Sequence, residues 1–286
     1  MPNTSVIPVN YREPDARPEA IARDVDYAVQ VGLSYAHWIA DALGTPERTL
    51  AAVRGLDVFE LGPGPSLGPA ALLACGGARV TVCDRFAARW DDRYHPAVFE
   101  ALLARVEQLL PGSGTPIIRL LDARAFVPDV IDVRECPAED LDRLPGGHAD
   151  VVISNAVLEH VMDVPRAFAG LAHVGRPGSV GIHQVDFRDH RDFSKPLEYL
   201  TLSAATFGDM FAEQMGECGN RWRPRPMAAA FEAAGFTVRA LHPNMWAEAD
   251  YVSGIKPRLH PDVAPIADID LSVISAQFVV DRRPRA

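Results

Sequence analysis

The sequence is poor in lysine: Lys195 and Lys256 are the only two, so nearly all of the 28 basic residues are arginine. The formal net charge of −10 and a pI near 5.3 give no general attraction for phosphate backbones or anionic membrane surfaces. Nucleic acid and membranes are therefore set aside as partners. Cysteine is also scarce, and Cys75, Cys83, Cys136 and Cys218 form neither a CxxC pair nor a Cys/His ligand pattern, which argues against zinc and dithiol chemistry. No run is long enough to span a bilayer, and Met1 to Glu19 is polar and proline-bearing without an apolar signal core, so a cytoplasmic location with reduced thiols is expected. Internal repeats and low-complexity segments are lacking as well.

What is present is a globular composition of 286 residues, 48% hydrophobic and 23% charged, enough to bury a sizeable core. Apolar residues recur at helical spacing over 19–43, and Gly44, Thr45 and Pro46 stop that helix. Strands are predicted at 57–61, 78–83, 130–135, 150–154, 179–185, 236–241 and 271–280. Helices are predicted at 69–75, 96–110, 157–174 and 226–234. Strands alternating with helices predict a mainly parallel, doubly wound α/β sheet. The expected organisation is an N-terminal arm over 1–18 and a single domain over 19–286. That domain carries N-terminal helices (19–54), an insertion (85–129) and a lid or substrate-facing segment (187–225).

Glu60-Leu61-Gly62-Pro63-Gly64-Pro65-Ser66-Leu67-Gly68 lies between the first strand and a helix, where open α/β sheets bind ligands. Gly62 and Gly64 let the backbone turn sharply beneath a ligand. A dinucleotide pyrophosphate needs the amides of this turn, but Pro63 and Pro65 remove two donors and Glu60 adds a negative charge. The same features suit S-adenosylmethionine, which carries an ammonium and a sulfonium. Asp84 ends the second strand, where a carboxylate accepts hydrogen bonds from ribose hydroxyls; its alternative is a solvated turn aspartate.

On these residues the chain resembles the class I S-adenosylmethionine-dependent methyltransferases. ELGPGPSLG resembles the family's acidic-x-Gly-x-Gly motif, VTVCDRF its ribose-binding strand end, and CPAEDLD the segment that cups adenine. ADVVISNAVLEHV resembles the fourth strand and following helix, and RPGS the turn before the fifth strand. The resemblance covers approximately 55–186, with 236–280 matching the closing antiparallel hairpin. It implies a Rossmann-like seven-stranded sheet of order 3-2-1-4-5-7-6, with the last strand antiparallel, and a cofactor set of Glu60, Gly62, Gly64, Asp84, Arg85, Ala138, Glu139 and Asn155. Pro137 stands where many relatives place an adenine-binding aspartate, which shifts adenine onto the backbone of Ala138 and Glu139 and onto the Glu139 side chain.

Methyl transfer to a hydroxyl requires alignment and removal of a proton. The resemblance places candidate catalytic residues at Glu159 and His160, after the fourth strand, and Asp186, closing the fifth, with His160 as base supported by Asp186. A Glu-His pair that only shapes the cofactor pocket is the alternative. The charged stretch 183–192 raises acid/base chemistry, a divalent metal held by Asp186, Asp189 and His190, or simply a charged loop held together by its own ion pairs; metal-dependent relatives draw ligands from beside the fourth strand, where this chain has Ser154 and Asn155, and no metal is expected. Asn220 to Arg225 reads either as a clamp for an anionic or aromatic acceptor or as an exposed charge cluster. Tyr35 and Trp38 read either as a cover for the cofactor or as core. The expected function is methyl transfer to a small-molecule hydroxyl or amine, such as a natural product or saccharide. A catalytically silent S-adenosylmethionine-binding or protein-interaction module is the runner-up, an NAD oxidoreductase the third reading, and the oligomeric state stays open.

Overall fold

A computed structural model describes residues 13–263 and 266–284; residues 1–12 of the expected arm lie outside the described residues. Helix α1 spans Pro18–Leu43 and ends on Gly44, whose left-handed backbone caps it. Strand β1 (Asp57–Leu61) leads through the glycine loop into α2 (Gly68–Cys75) and β2 (Arg79–Asp84). The insertion folds as α3 (His95–Leu109) and α4 (Thr115–Ala123) before β3 (Ile131–Glu135). Then follow β4 (Ala149–Asn155), α5 (Val164–Val174) and β5 (Gly175–Asp186). The remainder is α6 (Ala204–Glu213), α7 (Pro224–Ala233), β6 (Phe236–Trp246), α8 (Ala249–Ile255), α9 (Asp268–Ser272) and β7 (Val273–Arg282).

The seven strands form one sheet in the expected order β3-β2-β1-β4-β5-β7-β6, parallel throughout except for β7, which runs antiparallel to β5 and β6. Alternation along each strand sends side chains to opposite faces. Val58, Val80 and Val151 pack beneath α1 to α4, whereas Phe59, Val152 and Phe278 pack against Phe168 of α5 and Phe231 of α7. A smaller third core joins the segment after β5 to α8 and α9 through Tyr199, Phe207, Phe211 and Ile255. No described helix is long and apolar enough to cross a membrane.

Two expected elements differ. The helix expected over 157–174 is broken: Leu158–His160 is a single tight turn, Val161 is extended, and α5 begins afresh at Val164. Asp163 and Pro165 explain the restart, because the Asp163 side chain caps the Arg166 amide and Pro165 sits in the first turn. The segment 187–225, for which no helix is predicted, contains α6, whose first turn Ser203 caps through the Thr206 amide.

Candidate functional site

The carboxyl ends of β1, β2 and β4 open into a cavity of about 890 Å³, walled by the glycine loop, α1, the start of the 138–143 turn and the 215–217 turn. Gly62 and Gly64 both adopt left-handed backbone angles, φ +70° and +71°, and a Cβ at Gly62 would stand 2.3 Å from the Val157 side chain. Glycine at this position keeps open a cradle that any other residue closes. Asp84 lines the cavity and bends the chain after β2 by accepting the Phe86 amide at 2.9 Å.

Glu60 sits at the end of β1 but is not among the cavity-lining residues, and it is 1% exposed. Burial pushes its carboxyl up to about 7; the Tyr35 hydroxyl, hydrogen-bonded to it, opposes the shift and the Asp84 charge adds to it. Tyr35 thus serves the site from within the core, and Trp38 packs edge-on against it at 5.9 Å. The aromatic that does reach the cavity from α1 is Tyr27, whose hydroxyl accepts from Asn155 Nδ2 at 3.1 Å. Nothing in the spacing of the aromatics along α1 singles it out.

The insertion supports the loop from behind. His95 accepts the Asp91 amide at Nδ1, so its proton resides on Nε2, 3.1 Å from the Pro65 carbonyl. Tyr94 donates to Asp24 of α1 at 2.7 Å. These ties join α1, α3 and the glycine loop, and sequence reasoning did not name them.

Ala138 and Glu139 line the cavity, but the Glu139 carboxylate accepts the Met162 and Asp163 amides at 2.7 and 3.2 Å. Both bonds fall on Oε1 and hold the chain just ahead of α5, while Oε2 takes part in neither. Arg85 is also committed: its guanidinium donates to the Met215 carbonyl at 2.7 Å and to Glu217 at 2.5 Å. It ties the 215–217 turn down over the cavity.

His160 lines the cavity, and its Nδ1 donates to the Gly216 carbonyl at 2.9 Å. A carbonyl only accepts, so Nδ1 carries the proton and Nε2 keeps the lone pair. Burial holds this imidazole below its ordinary pKa, with the Gly216 hydrogen bond opposing. Asp186 is placed elsewhere than expected: it forms a two-pronged pair with Arg188 and stands 3.6 Å from His190, and it does not line the cavity. Burial acts to raise its pKa, but the His190 and Arg188 contacts outweigh this and hold it well below the usual carboxylate range. The support that sequence reasoning assigned to Asp186 comes instead from Gly216. Glu159 is buried beside this cluster, and burial raises its carboxyl well above the ordinary range.

The remaining expectations resolve structurally. Asp189 pairs with Arg191, so Asp186, Asp189 and His190 do not converge. His183 is wholly buried, which lowers its pKa to about 3 and keeps it neutral, and it is hydrogen-bonded to Ser154 at 2.8 Å. Arg223 is neither an acceptor clamp nor exposed: it is 2% exposed and donates to the carbonyls of Phe187, Asp270, Leu271 and Val273. Arg221 stacks over Phe207 at 4.2 Å.

A family model described as a methyltransferase domain matches residues 35–241. Comparison with curated proteins returns no match. Among solved structures, the chain is similar to geranyl diphosphate C-methyltransferase from Streptomyces coelicolor A3(2), at 12% identity over 93% of this chain and 85% of that one, with a TM-score of 0.48. It is also similar to an S-adenosylmethionine dependent methyltransferase from Mesorhizobium loti (19% identity, 86% and 98% covered, TM-score 0.42) and to the [4+2]-cyclase SpnF (16% identity, 89% and 81% covered, TM-score 0.44). With its sheet order, its glycine cradle and a domain match over most of its length, the chain belongs to the class I S-adenosylmethionine-dependent methyltransferases.

Proposed function

We propose that this protein transfers the methyl group of S-adenosylmethionine to a hydroxyl of a small molecule bound in the cavity beside His160. The observation that carries the reading is the placement of one imidazole lone pair in the wall of the cofactor cavity, held there by the Gly216 carbonyl. The cofactor brings an electrophilic methyl on a sulfonium. The chain's own residues bind and orient: Gly62 and Gly64 admit the ligand backbone-close, and Asp84 offers a carboxylate to the ribose. Ala138 and Asn155 line the same cavity, and His160 Nε2 is the lone pair available to activate the acceptor hydroxyl.

A small acceptor is favoured over a macromolecule because the 215–217 turn, fixed by Arg85 and His160, roofs the cavity. Exposed Tyr27, Met162 and Met215 at its edge favour an acceptor with an apolar body. The acidic net charge speaks against nucleic acid. The test is incubation with S-adenosylmethionine labelled in its methyl group and a fractionated cell extract, followed by mass spectrometry. Label in one small-molecule product is expected. Label confined to protein or nucleic acid, or none in any fraction, overturns the reading and favours a silent binding module.

A further inference from the structure

Glu159 is 1% exposed, and neither carboxyl oxygen has a hydrogen-bond partner among the described residues. A buried carboxyl left unpaired is costly, so such a group asks for an explanation. The explanation lies beside it. One ligand-type atom each from Glu159, His160 and His190 lie within 4.8 Å of one another. The two imidazoles meet edge to face with ring centroids 4.9 Å apart.

His160 is held by an acceptor on its outer side, while His190 Nε2, like the Glu159 carboxyl, is buried without a hydrogen-bond partner. The Gly216 carbonyl takes the His160 Nδ1 proton at 2.9 Å, and the Asp186 carboxylate stands 3.6 Å from His190 Nε2. Metal-ligating histidines are held as His160 is, one nitrogen turned to a carbonyl or carboxylate and the other offering its lone pair to the ion. The Arg188 guanidinium, whose charge acts on Glu159, is neutralised by Asp186.

We propose that Glu159, His160 and His190 form a binding site for a divalent transition-metal cation at the acceptor end of the cavity. Two imidazoles and a carboxylate suit zinc, iron(II), cobalt or nickel, whereas magnesium and calcium prefer oxygen donors throughout. Metal–ligand bonds of about 2.0–2.2 Å bring ligand atoms to within ~3.5 Å of each other, so the present spread closes by side-chain movements of about 1 Å. His160, the member that lines the cavity, places the ion against the acceptor. The ion's part in the reaction rests on the reading above; its binding does not. With the ion bound, His160 Nε2 acts on the acceptor through the metal and not as a free base: the acceptor oxygen forms the new C–O bond as the C–S bond breaks, sulfur keeps the bonding pair as a thioether, and the hydroxyl proton passes to water. A cation beside the oxygen makes that proton easier to lose.

The test is titration of the untagged, chelator-stripped chain with Co²⁺, whose visible absorption reports nitrogen and oxygen coordination. One equivalent should bind at micromolar affinity or tighter and be displaced by Zn²⁺. Glu159→Gln and His190→Ala should each weaken Co²⁺ at least roughly tenfold, the lower range even for residues behind a ligand. Circular dichroism and S-adenosylmethionine affinity serve as folding controls, because neither residue is among those lining the cavity. Absence of a saturable Co²⁺ signal in the wild type, or a signal undiminished in both variants, overturns the site. Calorimetry with S-adenosylmethionine on the same protein separates the two claims: Co²⁺ binding without cofactor binding sinks the cavity reading alone, and the reverse sinks the metal site alone.

Discussion

Gly216 and His160 fix each other across the mouth of the cavity. The Gly216 carbonyl accepts from His160 Nδ1 at 2.9 Å, and a Cβ on Gly216 would stand 2.4 Å from the His160 backbone oxygen. With φ at +83°, the position also requires a backbone conformation that other residues adopt at a cost.

Gly216→Ala is therefore expected to push the 215–217 turn off the cavity and release His160. The strain is about 1–3 kcal/mol, and turnover should fall roughly tenfold or more, with a smaller change in cofactor affinity. Denaturant unfolding, turnover and calorimetry on the purified variant check this. A variant as stable and as active as the wild type would show that the turn does not hold the imidazole.

Asp84→Ala is expected to weaken S-adenosylmethionine binding by about 1–3 kcal/mol, the range for loss of a charged hydrogen-bond partner. The protein should stay folded, because the Phe86 amide that Asp84 accepts lies at a half-buried position where water can replace the carboxylate. An unchanged dissociation constant would reduce Asp84 to a turn residue.

Glu60 gives the cofactor-free protein a pH dependence whose sign follows from burial. Its folded pKa of about 7 lies above the ordinary 4.5, so the folded chain favours the protonated carboxyl. The stability this contributes is complete below about 4.5 and is lost as pH rises through about 7; the full shift corresponds to at most about 3 kcal/mol. Melting temperature should therefore fall between about pH 5 and pH 8 more steeply in the wild type than in Glu60→Gln. Equal slopes would mean that Glu60 is ionised throughout.

The central strands were legible because each joins a dense apolar run to a chemical landmark. Asp57 to Leu61 ends at the glycine loop and Arg79 to Asp84 at a carboxylate, and the observed strands keep those ends. The break at Val161 was missed although Asp163 and Pro165 announce a helix start, because the apolar spacing of 157–174 runs through it. Partnerships were the least legible. Glu139 reads as an adenine contact, and nothing in the sequence signals that its Oε1 also holds the Met162 and Asp163 amides. Arg223 reads as surface charge until four backbone carbonyls surround it. His160 and His190 come from the ends of different strands, and only the pairing of β4 with β5 brings their rings together. Spacing along the chain carries no trace of that distance.

The most direct test of methyl transfer at the His160 wall is turnover and S-adenosylmethionine affinity measured together on His160→Ala, using the acceptor found by methyl labelling. Turnover is expected to fall roughly 10²- to 10⁴-fold, the usual span for losing a group that handles the acceptor proton, while the cofactor dissociation constant stays within about threefold of the wild type. Cofactor affinity lost in proportion to activity, or turnover near that of the wild type, would contradict the account.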